Sequence, residues 1–207
     1  TMQHRAGIKH IPSGDFSMYD QVLDMIGAVG AIPERYNSLS DSPMEMYFAM
    51  ARGSQKDGVD VKAMEMTKWF DTNYHYIVPE LADNQSFQLT DHKLFAEVAL
   101  AQKLGYQAKP VLVGPVTFLM LSKMKGQDSD KLALLDKLLP VYEQILQKLS
   151  EMKIEWVQID EPVLVLDLPK EWQTALRTSY ERLKRSDLKV LLATYFGDLS
   201  DNTKLAC

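Results

Sequence analysis

Apolar positions recur along this chain in two rhythms, and their alternation outlines the architecture. "IKHIPS" (8 to 13) is short and β-prone. "MYDQVLDMIGAV" (18 to 29) follows with Met18, Val22, Met25, Ile26 and Val29 on one helical face. Residues 30 to 60 are less regular and predict a short helix around "MEMYFAMA" and a polar loop, "RGSQKDGVD". Asp60 is then a plausible N-cap for a helix over "VKAMEMTKWF", and "YHYIVPE" (74 to 80) reads as a strand that stops at Pro79.

A second unit predicts a helix over "TDHKLFAEVALAQKLG" (90 to 105), with Leu94, Val98, Ala101 and Leu104 inward and Gly105 as the C-terminal cap. "KPVLVGP" (109 to 115) is the next strand. The strongest periodicity lies at 129 to 152, where Leu132, Leu135, Leu139, Tyr142, Leu146 and Leu149 alternate steps of three and four, in a long helix expected to kink at Pro140. "IEWVQID" (154 to 160) is a strand, "KEWQTALRTSYERLK" (170 to 184) a helix stacking Trp172, Leu176, Tyr180 and Leu183, and "KVLLATYF" (189 to 196) a last strand.

Continuously apolar strands such as "PVLV" and "VLLA" suit a parallel sheet covered by helices. The class is α/β. With about five strands, against the roughly 250 residues of a closed (β/α)8 barrel, the expectation is a partial or truncated TIM-like barrel with parallel strands. No linker divides residues 1 to 207, so they are expected to form a single domain.

Composition narrows the function classes. With 23 basic and 28 acidic residues, neither clustered in blocks, nothing suggests a nucleic-acid surface. No apolar run approaches the roughly 20 residues of a membrane span, no leader-like segment opens the chain, and the single cysteine, Cys207, excludes an internal disulfide framework. A reducing cytoplasm is expected, with no membrane and no nucleic-acid partner.

In parallel α/β folds the loops at the carboxyl ends of strands surround the site. Those ends place Asp15, His75, Thr117, Asp160, Glu161, Tyr195 and Asp198 around one expected mouth, a density of polar groups suited to a solvated cleft. Each residue has a plainer reading: Asp and Thr after a strand cap helices, Glu161 pairs with a lysine, and His75 is an interior hydrogen-bonded histidine. His4, His10, His75 and His92 show no ligand spacing, so no metal site is expected; GxSxG, GxGxxG and GxxxxGK are absent as well.

"MTKWFDTNYHYIVPE" (66 to 80), "KPVLVGPVTFL" (109 to 119), "EWVQIDEPVLVLDLP" (155 to 169) and "LLATYFGD" (191 to 198), together with "SGDFSMYDQVLD" (13 to 24), resemble in order and spacing the N-terminal domain of cobalamin-independent methionine synthase. The resemblance implies one of two duplicated (β/α)8 barrels of an enzyme that moves a methyl group from 5-methyltetrahydropteroyltriglutamate to homocysteine. It places the catalytic zinc in a C-terminal barrel that this chain lacks, leaving no cofactor and no catalytic residue here. What remains for this chain is folate-tail binding and scaffolding.

Lys68, the lysine of "MTKWF", is the residue carried over as a contact to the glutamate tail, for which a flexible ammonium is suited. Its plainer role is an i,i+3 pair with Glu65 on a helix. The resemblance makes Asp160 and Glu161, with Asp15, His75 and Thr117, a vestigial cleft, expected to be partly hydrated and paired with neighbours. The family's opening strand and basic helix, and the closing strands of the barrel, have no counterpart in the chain. The alternative is a free-standing, non-catalytic folate-binding or interaction module. A decarboxylase of the wider barrel superfamily, acting on propionates, would need basic strand ends, and these are acidic and aromatic.

Overall fold

Strands β1 (His10–Ser13), β7 (Gln107–Val113), β9 (Trp156–Asp160) and β10 (Lys189–Ala193) pair in that order, every neighbour parallel, in a computed structural model that describes residues 2–56, 58–90, 93–126 and 130–207. Ser13 stands against Pro110, Val111 against Gln158, and Val113 and Ala193 flank Asp160 from either side. Side chains alternate across the sheet as extended backbone requires. Ile11, Ala108, Leu112, Val157 and Ile159 are buried, whereas Pro12, Lys109, Val111 and Gln158 on the other face are half-buried.

Helices cover the buried face. Lys93–Lys103 (α4) lies on β1 and β7, while Leu135–Glu151 (α6) buries Leu138, Leu139, Tyr142, Ile145, Leu146 and Leu149 in the same core. Lys170–Leu183 (α7) packs on α6 and on Pro115–Leu121 (α5). Met2–Arg5 (α1) and Thr203–Ala206 (α8) are single turns at the ends. Pro140 lies inside α6, and the break in the predicted long helix falls earlier, where a 3-10 turn at Lys131–Leu134 hands over to α6. Ser129, which opened the predicted run, is outside the described residues, as are Asp91 and His92 before α4.

Between β1 and α4 the chain makes a long excursion. Gln21–Ala28 (α2) buries Val22, Leu23, Met25, Ile26 and Ala28; Met18, expected on that face, precedes the helix and is exposed. Pro43–Arg52 (α3) confirms the short helix predicted there. Three small pairings follow: Ser54–Lys56 (β2) with Val59–Val61 (β3), Met66–Lys68 (β4) with His75–Ile77 (β5), both antiparallel, and Glu80–Leu81 (β6) with Lys123–Met124 (β8), parallel. The excursion closes where Gln88 and Thr90 donate their N–H groups to the Val29 and Ala28 carbonyls.

Two expectations fail here for one reason. The helix predicted over 61 to 70 is replaced by β3 and β4, because the backbone of 66 to 68 finds its partners in 75 to 77. Met64 and Trp69 are buried with four exposed residues between them, so no helical stripe exists to be covered. "YHYIVPE" is correspondingly spent on the excursion, and the parallel sheet has four strands among the described residues. Leu104, expected inward, is 60% exposed beyond the end of α4; Gly105, at φ 80, does terminate the helix.

Candidate functional site at the carboxyl ends of the sheet

Asp160 ends β9 at the centre of the sheet. The Gly114 N–H donates to its carbonyl at 2.8 Å and the Glu161 N–H to the Ala193 carbonyl at 2.9 Å, so the ladder continues into the loops. Period-two alternation then sends the two carboxylates to opposite faces.

The Glu161 side chain turns under α5. It accepts hydrogen bonds from the Val116 N–H at 3.2 Å, the Thr117 N–H at 2.7 Å, the Thr117 hydroxyl at 2.5 Å and the Tyr180 hydroxyl at 3.0 Å. The lysine partner expected for Glu161 is not used, since N–H groups of the first turn of α5 and two hydroxyls fill the carboxylate's acceptor positions. Glu161 is fully buried, which corrects the expectation of partial hydration, and burial pushes its carboxyl up to about 7 against the pull of its four donors. Thr117 is buried with it. This cluster joins α5, β9 and α7.

Asp160 faces the other way, onto the half-buried side of the sheet. Its Oδ1 accepts from the Gln158 amide at 2.8 Å and its Oδ2 from the Tyr195 hydroxyl at 3.2 Å, while Lys109 Nζ donates to Gln158 Oε1 at 2.6 Å. Only 7% of Asp160 is exposed, so it too is drier than expected, and burial raises its carboxyl pKa despite these donors. Gln21 reaches the Tyr195 hydroxyl from the start of α2.

Within the excursion the start of α2 is tied to β5 by Asp20, which sequence reasoning passed over although an Asp immediately before an apolar-periodic run is an N-cap signal. Its Oδ2 accepts from the Leu23 N–H at 2.8 Å, capping α2, and from the Ile77 N–H at 2.9 Å, holding β5; its Oδ1 accepts from the Tyr74 hydroxyl at 3.0 Å. Tyr47 donates to the Asp20 carbonyl and accepts from the N–H groups of Tyr19 and Asp20. Burial raises the Asp20 carboxyl, and the three donors work against that.

The β4–β5 hairpin carries the remaining candidates. Its turn places Phe70 against Phe196, ring centroids 5.6 Å apart, and Phe196 packs edge-on against Tyr195 at 4.7 Å. Both Phe70 (φ 50) and Phe196 (φ 81) are left-handed, a costly state for a bulky residue that only surrounding structure maintains. Lys68 and His75 are directly opposite in the hairpin register, so their side chains share one face.

Lys68 is exposed on a strand, which rules out its helical pair with Glu65: that carboxylate pairs instead with Lys123 at 2.5 Å. Among the described residues Lys68 makes no ion pair. His75 is exposed and not the interior histidine expected; its Nδ1 lies 3.0 Å from the Asn73 carbonyl. Asp15 and Asp198 are exposed in the loops after β1 and β10 and bond to none of these groups. The structure thus brings Thr117 to Glu161 and Tyr195 to Asp160, leaving Asp15, His75 and Asp198 apart.

Among the described residues no three His, Cys, Asp or Glu side chains are grouped to hold a metal ion, and His92 lies outside them. The carboxylates at the mouth are already consumed by protein donors, so they do not fit a zinc site. No described helix is long and apolar enough to cross a membrane.

Fold and site together define a mixed α/β protein whose parallel sheet delivers a desolvated acidic pair to its carboxyl rim, beneath an added hairpin. The family model for the N-terminal domain of the cobalamin-independent synthase matches residues 1–207, and the chain belongs to that family. It is 55% identical over 206 residues to proteins named 5-methyltetrahydropteroyltriglutamate--homocysteine methyltransferase from Coxiella burnetii strains Dugway 5J108-111, RSA 331 / Henzerling II and RSA 493 / Nine Mile phase I. The match takes in 100% of this chain and 27% of each of those proteins.

Proposed function

We propose that this chain is the folate-tail-binding and scaffolding part of a methyltransferase that makes methionine from homocysteine and 5-methyltetrahydropteroyltriglutamate. The four parallel strands are, in this reading, part of a (β/α)8 barrel, residues 1 to 207 form one unit, and the zinc that activates homocysteine belongs to a C-terminal barrel. When bound there, zinc supplies a thiolate nucleophile by lowering the thiol pKa. In this reading the sulfur chemistry is assigned to none of the described residues of this chain. A cytoplasmic setting goes with the same proposal.

The observation that carries the reading is the 55% identity extending over the whole chain. Local chemistry agrees with it. Lys68 offers an ammonium uncommitted to any carboxylate among the described residues, on a hairpin anchored by Asp20 and by the Phe70–Phe196 contact, so the charge sits on a held support at the rim. A glutamate tail presents several carboxylates, and a flexible point charge suits it.

The test is calorimetric titration with the mono- and triglutamate forms of methyltetrahydrofolate. The triglutamate is expected to bind more tightly, and Lys68→Ala to shrink that advantage about two- to fivefold, the range of an exposed ion pair. An advantage unchanged in Lys68→Ala removes the tail-binding role. Mixing the chain with a polypeptide covering the rest of the relatives' length and recovering methyl transfer favours an enzyme part over a free-standing binding module.

A further inference from the structure

The hairpin that presents Lys68 presents a second group beside it, and we infer that His75 is a further tail-binding residue, forming with Lys68 a cross-strand pair that takes adjacent carboxylates of a polyanionic ligand. This rests on the reading of Lys68 given above.

Register supplies the first argument. Lys68 and His75 are direct partners across β4 and β5, which sets their Cβ atoms about 4.5–5.5 Å apart on the same face. A carboxylate drawn to one therefore lies within reach of the other. Both residues are exposed, so a ligand reaches them without opening the fold.

Orientation supplies the second. The Asn73 carbonyl can only accept, so His75 Nδ1, 3.0 Å away, carries a proton and donates it. That bond fixes the ring and leaves Nε2 as the free end. An arriving carboxylate is matched when Nε2 is protonated as well, the imidazolium donating once to Asn73 and once to the ligand. Lys68, directly across the register, is a cation that the same ligand can meet. On the α2 side Asp20 is engaged by Leu23, Ile77 and Tyr74.

Rigidity supplies the third. Thr72 donates to the Trp69 carbonyl at 2.6 Å and accepts from the Tyr74 N–H at 3.1 Å, while Trp69 packs edge-on against both Phe70 and Tyr76. The two strands are thus held in register by their own turn, and the pair is preorganised for a ligand that spans it.

The experiment compares the affinity gain from one glutamate to three in the full natural polypeptide carrying this chain, for the parent, His75→Ala, His75→Gln, His75→Lys and Lys68→Ala. The gain is expected to fall about two- to fivefold in His75→Ala, partly in His75→Gln, and to be restored in His75→Lys, with monoglutamate affinity and melting temperature unchanged. A gain intact in both His75→Ala and His75→Gln, but reduced in Lys68→Ala, overturns the His75 assignment and spares the Lys68 reading. A gain intact in Lys68→Ala overturns both. Equal loss of mono- and triglutamate affinity in the His75 variants also overturns it, since a structural defect does not count carboxylates.

Discussion

Gly114 stands so close to Glu161 that a Cβ built on it would lie 2.2 Å from the carboxylate. Its φ is an ordinary −71°, so glycine is needed here for space and not for backbone freedom. Gly114→Ala must push the carboxylate off its four donors, and a loss of about 3 kcal/mol is expected in chemical denaturation. Gly27→Ala is the control: within α2, with nothing within 4 Å of the added methyl, it should stabilise by about 0.5–1 kcal/mol.

Glu161 gives the fold a pH dependence whose sign runs against the usual one for an acid. Its folded pKa is raised to about 7 from 4.5, so between those values the native state holds a proton that the unfolded chain releases. Stability from this group therefore falls as pH rises from 4.5 to 7 and is level outside that window. Urea midpoints of Glu161→Gln, compared with the parent across the window, should show that slope flattened. A parent curve that instead climbs more steeply than the variant's would show the ionised form to be the native one.

Asp20 joins three segments, and its removal should be expensive. Asp20→Ala uncaps α2 and strands the Ile77 N–H and the Tyr74 hydroxyl, for an expected loss of about 2–4 kcal/mol. Tyr74→Phe deletes a single bond and should cost about 0.5–1.5 kcal/mol. Hydrogen exchange at Ile77 should speed up in Asp20→Ala, with the centre of β9 little affected.

At Asp160 the expectation separates stability from binding. Asp160→Ala leaves the Gln158 amide and the Tyr195 hydroxyl without their acceptor, costing about 1–3 kcal/mol. The affinity gain from added glutamates should not change. A selective loss of folate affinity at unchanged melting temperature would make Asp160 a ligand contact and not a retained structural acid.

How far the sequence could be read follows from the range of the forces involved. β1, β7, β9 and β10 and the covering helices were legible because each carries its own periodicity: the stripe from Leu135 to Leu149 declares itself without a partner. Of the hairpin at 66 to 77 only β5 was legible, inside "YHYIVPE"; β4 was read as helix, because its three residues are decided by their pairing and not by their composition. Burial of Glu161 was hidden for a similar reason. The motif showed two acids after a strand, but the donors come from Thr117 and Tyr180, on other helices. Asp20 was within reach, since its cap position is local, although its second bond to Ile77 is not.

The meeting of Phe70 with Phe196 carries a consequence for assembly. Each ring adopts a backbone state that local preference opposes, and the contact joins residue 70 to residue 196, across more than half of the chain. Closure of so long a loop is slow and late. The hairpin tip is thus expected to settle only after the last strand has joined the sheet, so the arm bearing Lys68 acquires its final pose at the end of folding.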